Sequence, residues 1–285
     1  MKRAGRKVSE EHLRYLKKER TRTAFVVAAQ ILLLLQFFVI WELLARYEVI
    51  DSFIFSSPSK MWASFKSLFA SGVLWRHVSA TLIETVVGFV SATAIGLMVA
   101  VILWSAEALR RILEPYVVVL NALPKIALGP IIIIWVGAGK GAIIVMAILI
   151  SVVVTVINIL NGFLSVDKDK ILLMRTLSAS RAQILFKLVL PSNVSGIIAS
   201  LKVNVGMAWV GTIMGEYLVS REGLGYLIVY GGQVFNLSLV MCSTLILTVL
   251  AALMYFCVLT STFCTFFSVI FHNMFNFRFK ASRKL

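Results

Sequence analysis

The chain has 285 residues, 60% of them hydrophobic, with 28 Lys and Arg against 13 Asp and Glu and a formal net charge of +15. That apolar fraction, with a mean hydropathy of +0.93, excludes an ordinary soluble domain. Several apolar runs reach the ~20 residues that cross a bilayer as a helix, which predicts an all-α, polytopic membrane protein of about six transmembrane helices.

Residues 1–23 read as a basic tail, with Lys2, Arg3, Arg6, Lys7, Arg14, Lys17, Lys18, Arg20 and Arg22 against Glu10, Glu11 and Glu19. The run Ala24–Ala45 is too long for a signal-peptide core and lacks a small-residue cleavage site, so it is expected to stay as the first span. Trp41 and Tyr47 near its far end fit an interfacial aromatic belt. Ser57-Pro58-Ser59-Lys60 opens an amphipathic helix through Trp62, Phe65, Leu68 and Phe69, expected to lie at the membrane face. The second span is about Ala80–Trp104, followed by a charged loop with Glu107, Arg110, Arg111 and Glu114. The third runs from Pro115 to Val136, broken by Pro124, Gly129 and Pro130. A glycine-rich turn at 137–141 leads to the fourth, about Ala142–Leu164. A polar connection, 165–193, precedes the fifth span, Val194–Val219. The sixth is about Leu237–Phe271, and residues 272–285 form a second basic tail. The transmembrane domain is thus 24–271.

Placing the N-terminus in the cytoplasm puts both basic tails, Arg110 and Arg111, and Lys168, Lys170, Arg175, Arg181 and Lys187 inside. The outer segments then hold Lys60, Lys66, Arg76, Lys140 and Arg221. This positive-inside asymmetry predicts a multi-pass protein of the cytoplasmic membrane with both termini in the cytoplasm. It also accounts for the net charge through the anionic inner leaflet, without nucleic acid.

The connection 165–193 reads as a helix–turn–helix. Ile171, Leu172, Met174 and Arg175 lie in its first half at helical spacing. Ser180 with Gln183 three residues on is a capping-box pattern. Ile184, Leu185, Leu188 and Val189 give the second helix an apolar face, and Pro191 stops or bends it. The spacing Leu172-Leu173-Met174, Ser178, Leu188, Leu190-Pro191, with Arg181 at a basic position, resembles the cytoplasmic signature loop of binding-protein-dependent ABC importer permeases. That signature is Glu-Ala-Ala, three residues, Gly, nine residues, Ile, one residue, Leu-Pro. Leu172 stands where the family has Glu, and Ser178 where it has Gly.

The resemblance extends over nearly the whole chain after the tail. Trp41-Glu42-Leu43-Leu44-Ala45-Arg46, Ser57-Pro58-Ser59, the segment from Asn121-Ala122-Leu123-Pro124 to Gly129-Pro130, Trp135-Val136-Gly137 and Gly223-Leu224-Gly225-Tyr226-Leu227 look like the permease subfamily for nitrate, sulfonates, taurine and related organic nutrients, including pyrimidine precursors. The resemblance implies a type I ABC importer permease fold in the bacterial cytoplasmic membrane. It also implies a second permease subunit, two ATPase subunits and an extracytoplasmic solute-binding protein. The loop would couple to the ATPase through Leu172, Leu173, Met174, Ser178, Ser180, Arg181, Ile184, Leu185, Leu190 and Pro191. Apolar contact from Leu173, Met174, Ile184 and Leu185 is expected to hold the docking. Gly139-Lys140 is followed by Gly141, not by the Ser or Thr of a nucleotide-binding loop. ATP and Mg²⁺ would therefore sit on the partner ATPases, with no cofactor in this chain.

Candidate pathway residues are Pro124, Lys125, Pro130, Lys202, Asn204, Trp209 and Glu216. A span broken at membrane depth is tolerated where it faces protein or a water-filled cavity, so 124–130 belongs at the pathway or against the fifth span. Lys125 and Lys202 either face an anionic solute or snorkel to the inner surface. Ser200, Asn204, Ala208, Thr212 and Glu216, four apart, form one face with the pair Gly211 and Gly215 beside it. That stripe either lines the pathway or packs helices; Asn204 and Glu216 are assigned to the pathway, the glycines to packing, and Trp209 could gate. No nucleophile–base constellation and no metal-ligand spacing appears, so no catalytic or metal residue is assigned. The alternative class is an ion-coupled secondary transporter, which tends to show internal repeats and acids at mid-membrane. No obvious repeat is present.

Overall fold

The computed structural model describes the backbone of residues 10–281 and the side chains of Tyr15 and residues 17–260. Lys2, Arg3, Arg6 and Lys7 of the expected N-terminal tail, and residues 282–285 of the C-terminal one, lie outside the described residues. The chain forms two compact units, Met1–Phe65 and Lys66–Leu285.

In the first unit one helix, α1 (Glu10–Arg46), runs without a break from the basic segment into the apolar run. Glu, Lys and Arg are good helix formers, so nothing in the sequence stops the helix at residue 23. The expected tail boundary therefore falls inside α1. Its apolar side chains, such as Phe25, Leu33 and Phe37, are exposed, as a helix that is apolar all round requires of a lipid solvent. Ser57 starts α2 (Pro58–Ala70) as an N-cap, its Oγ accepting the Lys60 N–H at 3.3 Å, and the Ser59 N–H donates to Glu42 at 2.9 Å.

The second unit is built on three close-packed helices: α3 (Val73–Ser105), α6 (Lys140–Leu164) and α10 (Val194–Val219). Small residues let their backbones approach. A Cβ added at Gly88 of α3 would come within 2.6 Å of Ala147 Cβ, and one at Gly211 of α10 within 2.5 Å of Ala147 Cα. Ala147 of α6 is thus wedged between two glycines, and neither can enlarge without moving backbone. The assignment of Gly211 and Gly215 to helix packing matches this arrangement.

Between α3 and α6 the chain forms α4 (Glu107–Ala122), a short 3₁₀ turn (Lys125–Leu128) and α5 (Gly129–Val136), bent by 86° at the break. The charged stretch expected as a loop is the start of α4. The break falls at Leu123–Pro124, where proline removes a donor and pushes the preceding residue to extended backbone; Leu123 has ψ 137°. Lys125 Nζ donates to the freed Asn121 carbonyl at 3.0 Å. Pro130 does not break anything. It sits in the first turn of α5, where its missing N–H would have had no partner. α5 runs against α10, where a Cβ on Gly129 would meet Leu218.

Three short helices connect α6 to α10: α7 (Lys168–Thr176), α8 (Arg181–Ile184) and α9 (Leu190–Ser192), with a π-turn over Leu185–Val189. α11 (Leu224–Gln233) and α12 (Leu237–Ala281) complete the unit. Among the described residues, five helices are long and apolar enough to cross a membrane, or six when the bent α4–α5 pair counts as one span.

Candidate functional site

The α6–α10 connection is held by caps at each of its turns. The Asp167 carboxylate accepts the Asp169 N–H at 2.9 Å and starts α7. α7 ends in a Schellman motif, with Ser178 N–H donating to Arg175 O at 2.9 Å and Ala179 N–H to Met174 O at 3.0 Å. Ser178 occupies the left-handed position at φ 56°, which glycine adopts at less cost. Ser180 and Gln183 then form the capping box expected from sequence. The π-turn before Pro191 absorbs the clash that a proline ring makes with the carbonyl four residues back. Arg181 donates to Ser105 O at 2.6 Å, placing a cation on the C-terminal carbonyls of α3.

This folding decides which apolar residues remain available. Ile184 and Leu185 are buried with Val189 in a core shared with Leu103 of α3 and Ile159 and Phe163 of α6. Expected as docking contacts, they instead face this core within the chain. Met174, Leu188 and Leu190 are partly buried against the same core. Leu172 and Leu173 are 60% exposed, and Leu177 and Phe186 are 71% and 68% exposed. Leu177 and Phe186 were not singled out in sequence. Leu177 follows the end of α7 and Phe186 adjoins the buried Leu185, so the periodicity of neither half marked them.

The polar stripe of α10 is real, and all five members are buried. Asn204 bridges two helices: its Oδ1 accepts from Thr155 of α6 at 2.6 Å, and its Nδ2 donates to Thr93 of α3 at 3.1 Å. Trp209 is also buried, with its Nε1 unpartnered among the described residues. Lys202 is half-buried, and Pro124 and Pro130 are exposed. The residues assigned to a pathway therefore separate. Asn204, Trp209 and Glu216 are enclosed within the chain, whereas the proline break and the two lysines reach its surface.

Glu216 anchors a second cluster. The backbone N–H groups that begin α11 have no partner within their own helix. Gly223 N–H donates to His77 Nδ1 at 2.9 Å, Leu224 N–H to Thr81 Oγ1 at 2.8 Å and Gly225 N–H to Glu216 at 2.5 Å. Tyr226 N–H also reaches Glu216, and the Thr81 hydroxyl donates to it at 2.6 Å. A Cβ at Gly223 or Gly225 would strike the Glu216 carboxylate, at 2.3 and 2.7 Å respectively. The Glu84 carboxyl, whose partner sequence did not reveal, bonds to that of Glu216. At the rim, Glu222 is bonded by Arg76 and lies 3.9 Å from Lys140. Among the described residues, no group of acids, histidines or cysteines is arranged to hold a metal ion.

These features define a class: a multi-pass helical permease of the type I importer architecture. The MetNI methionine ABC transporter, solved in inward-facing conformations, is similar over 67% of this chain and 95% of its own, with a TM-score of 0.60 and 23% identity. The chain belongs to the family of binding-protein-dependent transport system inner membrane components, whose family model matches residues 92–281, and it is the transmembrane permease subunit of an ATP-dependent importer. The taurine transport system permease protein TauC of Escherichia coli is 24% identical over 75% of this chain and 80% of its own length. The formylaminopyrimidine transport permease protein ThiX of Halalkalibacterium halodurans is 27% identical over 68% and 77%.

Proposed function

We propose that this permease imports a small organic nutrient of the sulfonate, taurine or pyrimidine-precursor class, with both termini in the cytoplasm. The observation that carries the solute class is the likeness to the taurine and formylaminopyrimidine permeases across most of the chain. Two permease subunits form the pathway, two ATPase subunits engage their α6–α10 connections, and an extracytoplasmic binding protein delivers solute. ATP and Mg²⁺ act on the ATPases, and this chain moves the solute without a reaction of its own. The proline break 124–130, with Lys125 and Lys202, is the surface proposed to meet the solute; an anion gains most from those two charges. Asn204, Trp209 and Glu216 act behind it by fixing the helices. Leu172, Leu173, Leu177 and Phe186 form the apolar face offered to the ATPase.

The test is uptake into proteoliposomes holding the permease, its ATPase and its binding protein. Labelled taurine, an alkanesulfonate and formylaminopyrimidine are supplied in turn, with and without internal ATP. ATP-dependent accumulation of one of them is expected. Accumulation driven by an ion gradient without ATP, or transport of none of the three, overturns the reading. Lys125→Met with Lys202→Met is expected to raise the half-saturating concentration of an anionic solute, and unchanged uptake removes the lysines from the pathway.

A further inference from the structure

The ends of α3 and α6, the start of α4 and the first part of the α6–α10 connection enclose a pocket of about 530 Å³. Its wall carries four cations, Arg110, Lys168, Arg175 and Arg181, and two acids, Glu107 and Asp169. Glu107 is already engaged by Arg111, at 2.6 Å. Among the described residues none of the four cations forms an ion pair. Arg181 uses one N–H on the Ser105 carbonyl and keeps the rest of its fork. Leu172 also lines the pocket. It is apolar and brings no charge to balance these cations.

Unpaired guanidinium groups around a cavity call for an oxyanion with several acceptors, and Arg matches phosphate through paired, parallel N–H donors. The depth is also informative. The pocket opens where two apolar helices end, and Trp104 in its wall is a residue type enriched at the membrane interface. Basic pockets between spans on the cytoplasmic side are suited to lipid headgroups. We propose that this pocket binds a phosphate group, carried by an anionic phospholipid headgroup or by a soluble phosphate monoester. A phosphate there would join α4 to α7 and α8 and so brace the connection against the trunk. The lipid source rests on the sidedness proposed above, but the binding test in detergent does not.

The full chain, purified with its ATPase in detergent, is titrated with phosphatidylglycerol and phosphatidylcholine by native mass spectrometry, and with glycerol 3-phosphate by calorimetry. Arg110→Gln with Arg175→Gln removes two cations and is expected to weaken binding about thirtyfold. Leu172→Glu places an acid at an exposed position and is expected to weaken binding in the same direction, so the test survives if the double variant folds poorly. Variant-sensitive binding of phosphatidylglycerol over phosphatidylcholine supports the headgroup. Variant-sensitive binding of glycerol 3-phosphate alone supports the soluble source. Binding of neither, or binding that both variants leave unchanged, overturns the site, as does a double variant that loses the ATPase and no phosphate. Solute uptake is measured separately, so this failure leaves the import reading standing.

Discussion

The start of α11 and the α6–α10 connection are both short helical segments fastened to the same three-helix trunk, and they are finished in opposite ways. At α11 every backbone donor of the first turn is met by a side chain of α3 or α10, and the acid that meets two of them is itself buried. The connection caps its own turns but leaves Leu173, Leu177 and Phe186 in the open and its cations unpaired. The first region is complete within one chain. The second leaves apolar side chains exposed for the partner proposed above. Substitutions at the first should therefore register as stability, and at the second as association.

The sharpest way to break that contrast is at Glu216. Glu216→Ala strands the Gly225 and Tyr226 N–H groups and the Thr81 hydroxyl in a buried site. With a cost of about 1–3 kcal/mol for each unmet donor, the loss is expected to be about 4 kcal/mol. Thermal unfolding of the purified chain reads it directly. Glu216→Gln keeps an acceptor and should lose far less. Equal destabilisation by both variants would mean that both carboxyl oxygens are needed as acceptors, since glutamine keeps the volume and only one of them.

Within the connection itself the two kinds of apolar residue should part company. Ile184→Asp buries an unpaired carboxylate among Leu103, Ile159 and Phe163 and is expected to cost about 3 kcal/mol. Leu173→Asp with Phe186→Asp changes exposed positions, so stability should shift by about 0.5 kcal/mol or less. Retention of the ATPase should instead fall about thirtyfold, the effect of losing one interface hot spot. Co-purification and unfolding measured on the same samples separate the outcomes. An ATPase that stays bound to the double variant would place the docking face elsewhere.

The difference between the two regions also explains what could be read from sequence. Periodicity and local chemistry were enough for the spans, for the capping box at Ser180 and for the break at Pro124. Each depends on neighbours within a few residues. The stripe on α10 was legible as a face, but its surroundings were not. Asn204 owes its burial to Thr93 and Thr155, 111 and 49 residues away. The burial of two expected docking residues was hidden for a related reason. Ile184 and Leu185 look as available as Leu173 until the ends of α3 and α6 are seen to cover them. Glu84 had no visible partner because Glu216 lies on another helix.

A smaller effect tests how local chemistry holds the turn between α7 and α8. Ser178 takes a left-handed conformation that costs a non-glycine residue about 1 kcal/mol. Ser178→Gly is expected to relieve that strain, while the looser unfolded chain returns part of the gain. The net result should be stabilisation of up to about 1 kcal/mol with ATPase retention unchanged. Destabilisation would show that the Ser178 side chain makes a contact worth more than its strain.

The smallest expected effect lies at the rim of the α11 cap, where one charge is not enclosed. The Arg76 guanidinium beside Glu222 holds its carboxyl below the ordinary glutamate value of 4.5. A depressed carboxyl stabilises the fold above its unfolded value, and the contribution is lost as pH falls through the folded one. Glu222→Gln should therefore be slightly less stable than the parent at neutral pH, and the gap should close in the acid range below pH 4.5. Both side chains reach solvent, so salt should shrink the gap at neutral pH as well. The buried bonds of His77, Thr81 and Glu216 should not respond to salt. A gap that ignores both salt and acid would mean that Glu222 acts through its own loop, where Ser220 bonds its backbone, and not through Arg76.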